Sequence, residues 1–108
     1  MIPQIAPKDV AAWCADPMRV TPVLVDVREP WEHERCRIGG SVLLPLAQLP
    51  ARHTELPAER DVVLVCHHGG RSQQAATWLA RNGRANVYNL RGGVDAWAIE
   101  VEPSMPRY

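Results

Sequence analysis

The chain has no phenylalanine at all, and tryptophan supplies four of its few aromatic residues. That bias is unusual and excludes no function. The other shortages are more informative. Cysteine occurs only at positions 14, 36 and 66, an odd number at no metal-like spacing. A disulfide-stapled secreted scaffold carries dense, paired cysteines. Cys14, Cys36 and Cys66 therefore point to a reducing compartment, the cytoplasm. Neither sign of charge is in excess, with 12 Lys and Arg against 12 Asp and Glu. A neutral chain gives no electrostatic case for nucleic acid or an anionic membrane surface. No apolar run approaches the roughly 20 residues that a membrane span requires. The start, Met1-Ile2-Pro3-Gln4, lacks a basic region followed by a long apolar segment, so no secretory leader is expected. Internal repeats, low-complexity tracts and linkers are absent.

What is present fits one domain. A chain of 108 residues with 46% hydrophobic composition has a core of ordinary size and no room for a second one. The segments alternate in type. Ile2 to Ile5 reads as a short strand, and Pro7 opens a helix on which Val10, Trp13 and Cys14 share a face to about Ala15. Val23 to Val27 is a second strand, Pro30 to Arg35 a short polar helix, and Val42 to Leu44 a third strand. Leu46, Leu49 and Leu56 mark a loosely helical stretch broken by Pro50. Val62 to Val65 is the fourth strand, Ser72 to Arg81 the clearest helix, Asn86 to Leu90 the fifth strand, and Gly93 to Ala98 a last helix.

Strands alternating with helices indicate an α/β fold with a five-stranded, mostly parallel sheet and helices on both faces. The strands are nearly continuous in apolar residues, as they are when both faces are covered. The single domain spans 1–108, with a core of about 5–99. The segment 102–108, with two prolines, is expected to be a disordered or partner-facing tail that includes Met105.

Ligands of parallel sheets bind beyond the carboxyl ends of the strands. Asp26-Val27-Arg28, Cys66 and Leu90-Arg91-Gly92-Gly93 all fall at such ends. Cys66 closes the strand Val62 to Val65, and the loop His67-His68-Gly69-Gly70-Arg71-Ser72 leads from it into a helix. That position collects unpaired backbone N–H groups and the positive end of a helix dipole, which favour the reactive thiolate. If the loop curls, its amides form an anion-binding nest. Gly69 and Gly70 permit the positive φ that such a curl needs. Arg71 either adds positive charge to the nest or turns away to brace the loop. Ser72 caps the helix or bonds the sulfur. Cysteine phosphatases place one residue more between cysteine and arginine. The four residues here make a cradle suited to a single sulfur atom rather than a phosphoryl group.

Cys66-x-x-Gly69-x-Arg71-Ser72 resembles the active loop of the rhodanese family of sulfurtransferases. Asp26-Val27-Arg28-Glu29-Pro30-x-Glu32 is similar to that family's Asp-x-Arg-x-x-x-Glu segment. Leu90-Arg91-Gly92-Gly93-Val94-Asp95-Ala96-Trp97 is similar to its Leu-x-Gly-Gly-x-x-Ala-Trp. The three motifs keep the family's order and spacing, and the match runs from about Ile5 to Ile99. The resemblance implies a five-stranded parallel sheet and a Cys66 persulfide. That persulfide would take a sulfane sulfur from a donor such as thiosulfate and pass it to a thiol or cyanide. It implies no metal and no organic cofactor. The partners implied are a small-molecule sulfur donor and a thiol acceptor, with a protein persulfide acceptor as an option. Two rivals stand beside this enzyme. One is a persulfide carrier or sulfur-sensing module without turnover of its own. The other is a small cysteine-dependent phosphatase or arsenate reductase, which the short loop disfavours.

The sequence departs from the family at Cys36-Arg37-Ile38-Gly39-Gly40-Ser41, where the family commonly has Gly-His-Ile-x-Gly-Ala. His67 and His68 are expected to line the loop through their backbones rather than act as acid and base. Mostly neutral at pH 7, they make thiosulfate a poor donor. As adjacent residues on a tight loop they converge poorly with Cys66 on a metal. Asp26 either bonds the active loop or pairs with Arg28 or Arg71, and Arg28 reads as scaffold. Cys36 is expected to be a packing cysteine rather than a resolving thiol for Cys66, and Trp31 to be exposed at the rim.

Overall fold

The computed structural model describes all 108 residues. Its elements run β1 (Gln4–Ile5), α1 (Pro7–Ala15), β2 (Val23–Asp26), α2 (Pro30–Arg35), β3 (Val42–Leu43), α3 (Leu49–Arg52), β4 (Val62–Val65), α4 (Gly70–Arg81), β5 (Val87–Leu90) and α5 (Gly93–Glu100). Short 3-10 turns at Leu46–Gln48 and His53–Glu55 flank α3. The five strands form one sheet in the order β1-β5-β4-β2-β3. Every pairing is parallel. The sheet is thus fully rather than mostly parallel. Both edges, β1 and β3, are two residues long. No helix is long and apolar enough to cross a membrane.

The side-chain period of two divides the core between the two faces. Val62, Leu64 and Cys66 point with Val25 and Val87 toward Ala75, Ala76 and Leu79 of α4. Leu44, Leu49 and Leu56 complete that layer. Val63 and Val65 point the other way with Leu24 and Leu90, against Val10 and Trp13 of α1 and Val94, Trp97 and Ala98 of α5. All four residues of β4 are buried, which explains its unbroken apolar run. The central position of β4 puts the end of that strand in the middle of the sheet's carboxyl edge.

Two expectations are corrected. The helix expected from Ser72 begins at Gly70, because Gly69 adopts a left-handed φ of 107° and turns the chain into the helix earlier. The tail is not loose. Met105 is buried in the layer of α1 and α5, and Arg107 pairs with Asp95 at 2.8 Å. Proline prevents regular hydrogen bonding in this segment, but it does not prevent burial of the side chains between the prolines.

Candidate active site

Cys66 leaves β4 on the α4 side and is only 1% exposed. Its Sγ accepts a hydrogen bond from the Gly69 N–H at 3.0 Å and lies 3.2 Å from Ser72 Oγ. The loop's carbonyls face the opposite way. Cys66 O accepts from Val94 N at 2.9 Å and His67 O from Asp95 N at 3.1 Å, both at the start of α5. A trans peptide points its N–H opposite to its C=O. Fixing these carbonyls on α5 therefore turns the His67 and His68 amides away from it. Those amides, with the amides of Gly70, Arg71 and Ser72, donate to no carbonyl of the chain. Between Cys66 and Ser72 five backbone donors are thus left without a carbonyl acceptor, and the Gly69 amide is the one bonded to the sulfur at the head of α4.

Gly93 makes this arrangement possible. It has a φ of 61°, and a Cβ there would collide with the carbonyls of Cys66 and His67. Only glycine lets α5 approach closely enough to hold the loop from behind.

Arg71 makes no hydrogen bond to the sulfur. Its guanidinium forms a two-pronged pair with Glu32 of α2, at 2.6 and 2.8 Å. Glu32 also accepts from the Glu29 amide at 3.0 Å and from the Tyr108 hydroxyl at 2.7 Å. With Arg71 as the principal cause, its carboxyl is held down to about 2. Tyr108 Oη accepts in turn from Arg28 at 2.7 Å. Burial, then the bond to Glu32, pushes the phenol up to about 12. Arg28 is wholly buried. It also donates to Asp26 at 2.7 Å and to the Cys36 carbonyl at 2.6 Å. Asp26 is further bonded by His33 Nδ1 at 2.8 Å. One continuous network of charges and a phenol thus ties the ends of β2, α2, α4 and the tail together.

Asp26 does not bond the active loop. Arg28 and His33 occupy its oxygens. His67 lies sandwiched between the rings of His68 and Tyr108, each at a centroid distance of 3.9 Å, and the Tyr108 planes differ by 6°. Burial, then the neighbouring His68, lowers the His67 pKa, and its Nε2 is buried without a partner. Trp31 is 61% exposed at the rim and meets the Tyr108 ring edge-on at 5.9 Å. Cys36 packs with α1 and α5 on the face opposite to Cys66, as a core side chain. The three surface cavities are lined by none of residues 66–72. No three His, Cys, Asp or Glu side chains converge as metal ligands.

The sequence reading placed Cys66, its loop and the Asp26–Arg28 pair at one edge, and the structure brings them together there. It missed Asn89 and Tyr108 and gave Glu32 no role. Asn89 is buried in β5. Its Oδ1 lies 2.5 Å from Ser72 Oγ, and its Nδ2 donates to Gln4 and to the Gly69 carbonyl. A lone amide in an otherwise apolar strand was the available signal, since a buried polar side chain requires partners.

The model of the rhodanese-like domain family matches residues 7–100. The chain belongs to that family. Similar proteins include a sulfurtransferase of Allochromatium vinosum, 45% identical over 76 residues, covering 70% of this chain and 71% of that one. A thiosulfate sulfurtransferase of Pseudoalteromonas translucida is 35% identical, covering 79% and 81%. A chloroplastic rhodanese-like/PpiC domain-containing protein of Arabidopsis thaliana is 42% identical, but the chain spans only 30% of its length. Among solved structures, a rhodanese-related protein of Thermoplasma volcanium superposes with a TM-score of 0.83 at 27% identity, covering 94% of this chain and 95% of that one. In this rhodanese-like domain the segment Cys36-Arg37-Ile38 lies away from the sulfur. Cys36 and Ile38 fill the far face of the sheet, and the Cys36 carbonyl serves Arg28.

Proposed function

We propose that the protein is a rhodanese-type sulfurtransferase that carries sulfane sulfur on Cys66. The observation that supports this reading most is the run of loop amides between Cys66 and Ser72 that no carbonyl claims, with Arg71 paired to Glu32. Such amides suit the outer sulfur of a persulfide. A phosphatase needs its arginine on the phosphoryl group, and here that guanidinium is already spent.

The cycle is nucleophilic covalent catalysis. The Cys66 thiolate attacks the sulfane sulfur of a donor such as thiosulfate. An Sγ–S bond forms, the donor's S–S bond breaks, and its electron pair leaves with sulfite. The outer sulfur then carries the negative charge among the loop amides, as an oxyanion hole holds an alkoxide. A thiolate or cyanide acceptor attacks that outer sulfur, and the pair of the broken bond returns to Sγ. The loop offers a dianion little free positive charge, because Arg71 is paired and His67 is held neutral. Thiosulfate is therefore a weak donor, and a less charged persulfide is the better substrate.

The near-complete burial of Cys66 favours a second reading, a persulfide carrier that turns over negligibly with small acceptors. Mass spectrometry after treatment with thiosulfate or a low-molecular-weight persulfide tests the shared core of both. The protein should gain one sulfur atom, lose it on addition of cyanide, and gain none as Cys66→Ser. Failure to form the adduct with any sulfane donor overturns both. Steady-state turnover with cyanide then separates enzyme from carrier.

A further inference from the structure

The hydrogen bonds behind the sulfur fix the direction in which the Ser72 hydroxyl points. Asn89 Nδ2 lies 3.2 Å from the Gly69 carbonyl, a group that can only accept. Nδ2 must therefore occupy that side, and Oδ1 must face Ser72. The orientation is locked again from outside, since Nδ2 also donates to Gln4 Oε1 at 2.8 Å while Gln4 Nε2 donates to the Ile2 carbonyl. A hydroxyl has one proton. At 2.5 Å from Asn89 Oδ1, Ser72 spends it there, and it presents a lone pair to Sγ at 3.2 Å. All three side chains are buried.

We infer that Asn89 is a positioning residue for sulfur transfer: by holding the Ser72 proton, it disfavours a bare thiolate at Sγ relative to the thiol and the persulfide. In the thiol, the S–H donates to Ser72 Oγ. When that proton departs to water, the anion meets a lone pair on one side and keeps the Gly69 amide on the other. Turning the Ser72 hydroxyl toward sulfur would orphan a buried amide oxygen, a costly exchange. In the persulfide, the charge has moved to the outer sulfur among the loop amides. Sγ then carries no proton and little charge, and the Ser72–Asn89 bond stands undisturbed. Sγ is the leaving group when an acceptor takes the outer sulfur, so the same bond slows discharge and makes the chain retain its cargo.

The inference rests on the persulfide cycle proposed above, but it is tested on the free thiol. The charged and titratable groups around Cys66 are His67 and His68 on its loop, Arg71 on α4 paired with Glu32 of α2, the Asp26–Arg28 pair of β2, Tyr108, and Asp95 on α5. All of these are retained in the variants.

The pH midpoint of iodoacetamide alkylation at Cys66 is measured with no sulfur donor present. If Ser72 donated to the thiolate, Ser72→Ala would raise the midpoint. The expected result is no rise. Asn89→Leu frees the hydroxyl to donate to sulfur and should lower the midpoint by about one pH unit, the scale of one hydrogen bond to a charged group. The double variant Ser72→Ala/Asn89→Leu should show no such fall. In persulfidated protein, Asn89→Leu should discharge to cyanide roughly three- to fivefold faster, because only part of the charge has reached Sγ in the transition state. A raised midpoint in Ser72→Ala overturns the inference, and that variant decides alone should Asn89→Leu not fold. An equal fall with and without Ser72 also overturns it. A protein that no donor sulfurates would sink the functional reading and leave the alkylation result standing.

Discussion

Replacing Glu32 by glutamine removes the charge at the centre of the frame around the loop while keeping the side chain's shape. The Glu32 side chain is 5% exposed and is held by Arg71, Tyr108 and the Glu29 amide. Its carboxyl stands at about 2 in the folded chain against an ordinary 4.5. At 1.36 kcal/mol per pH unit, that gap is worth about 3 kcal/mol at neutral pH. Arg71, the principal cause, is 38% exposed. Water screens that end of the pair, and about 2 kcal/mol is the fair expectation. The sign follows from the lowered value. The contribution is complete above about 4.5 and disappears as pH falls through about 2. Urea unfolding of wild type and Glu32→Gln at a series of pH values measures it. The two should differ by about 2 kcal/mol at pH 7 and converge as the pH approaches 2. A difference that is negligible at pH 7, or that persists unchanged at low pH, refutes the assignment of that energy to the carboxylate.

Tyr108→Ala should open the face of the loop that the phenol ring covers. Bulky maleimides should label Cys66 several-fold faster, and the His67 imidazole titration followed by NMR should move up toward its ordinary value of about 6.5, because burial is the main cause of its lowering. Equal labelling and an unmoved titration would show that the tail does not shield the loop. Gly93→Ala should cost about 3 kcal/mol or more in denaturant stability, because a left-handed backbone and a collision with two carbonyls are imposed together. A variant as stable as wild type would show that α5 is not what holds the loop's carbonyls.

The legible features were those whose causes lie close together in the chain. A buried central strand must be apolar on both faces, so Val62 to Val65 announced itself, and the glycines after Cys66 told of the curl. Glu32 and Arg71 are 39 positions apart, and Tyr108 stands 76 from Glu32 and 80 from Arg28. No local period reports such a pairing. The tail carries prolines and no repeat, so it read as loose. What orders it is one methionine in the core and one phenol between two charges. Asn89 was hidden for a related reason: its partners come from two distant places in the chain, Gln4 of β1 and the Gly69–Ser72 turn. Asp26 looked like a candidate for the loop because both sit at the same edge. Arg28, two residues on, is simply nearer and better shaped to claim its oxygens.

The margins of the sheet are barely strands at all, with two residues in β1 and two in β3. A foreign peptide seeking to extend the sheet would find only a couple of rungs to grip on either side. Sheets that are greasy through and through tend to recruit their neighbours into fibres, and abbreviating the outermost strands is one way to refuse them. The strongly apolar interior is thus bordered by edges that offer another chain little free ladder to pair with.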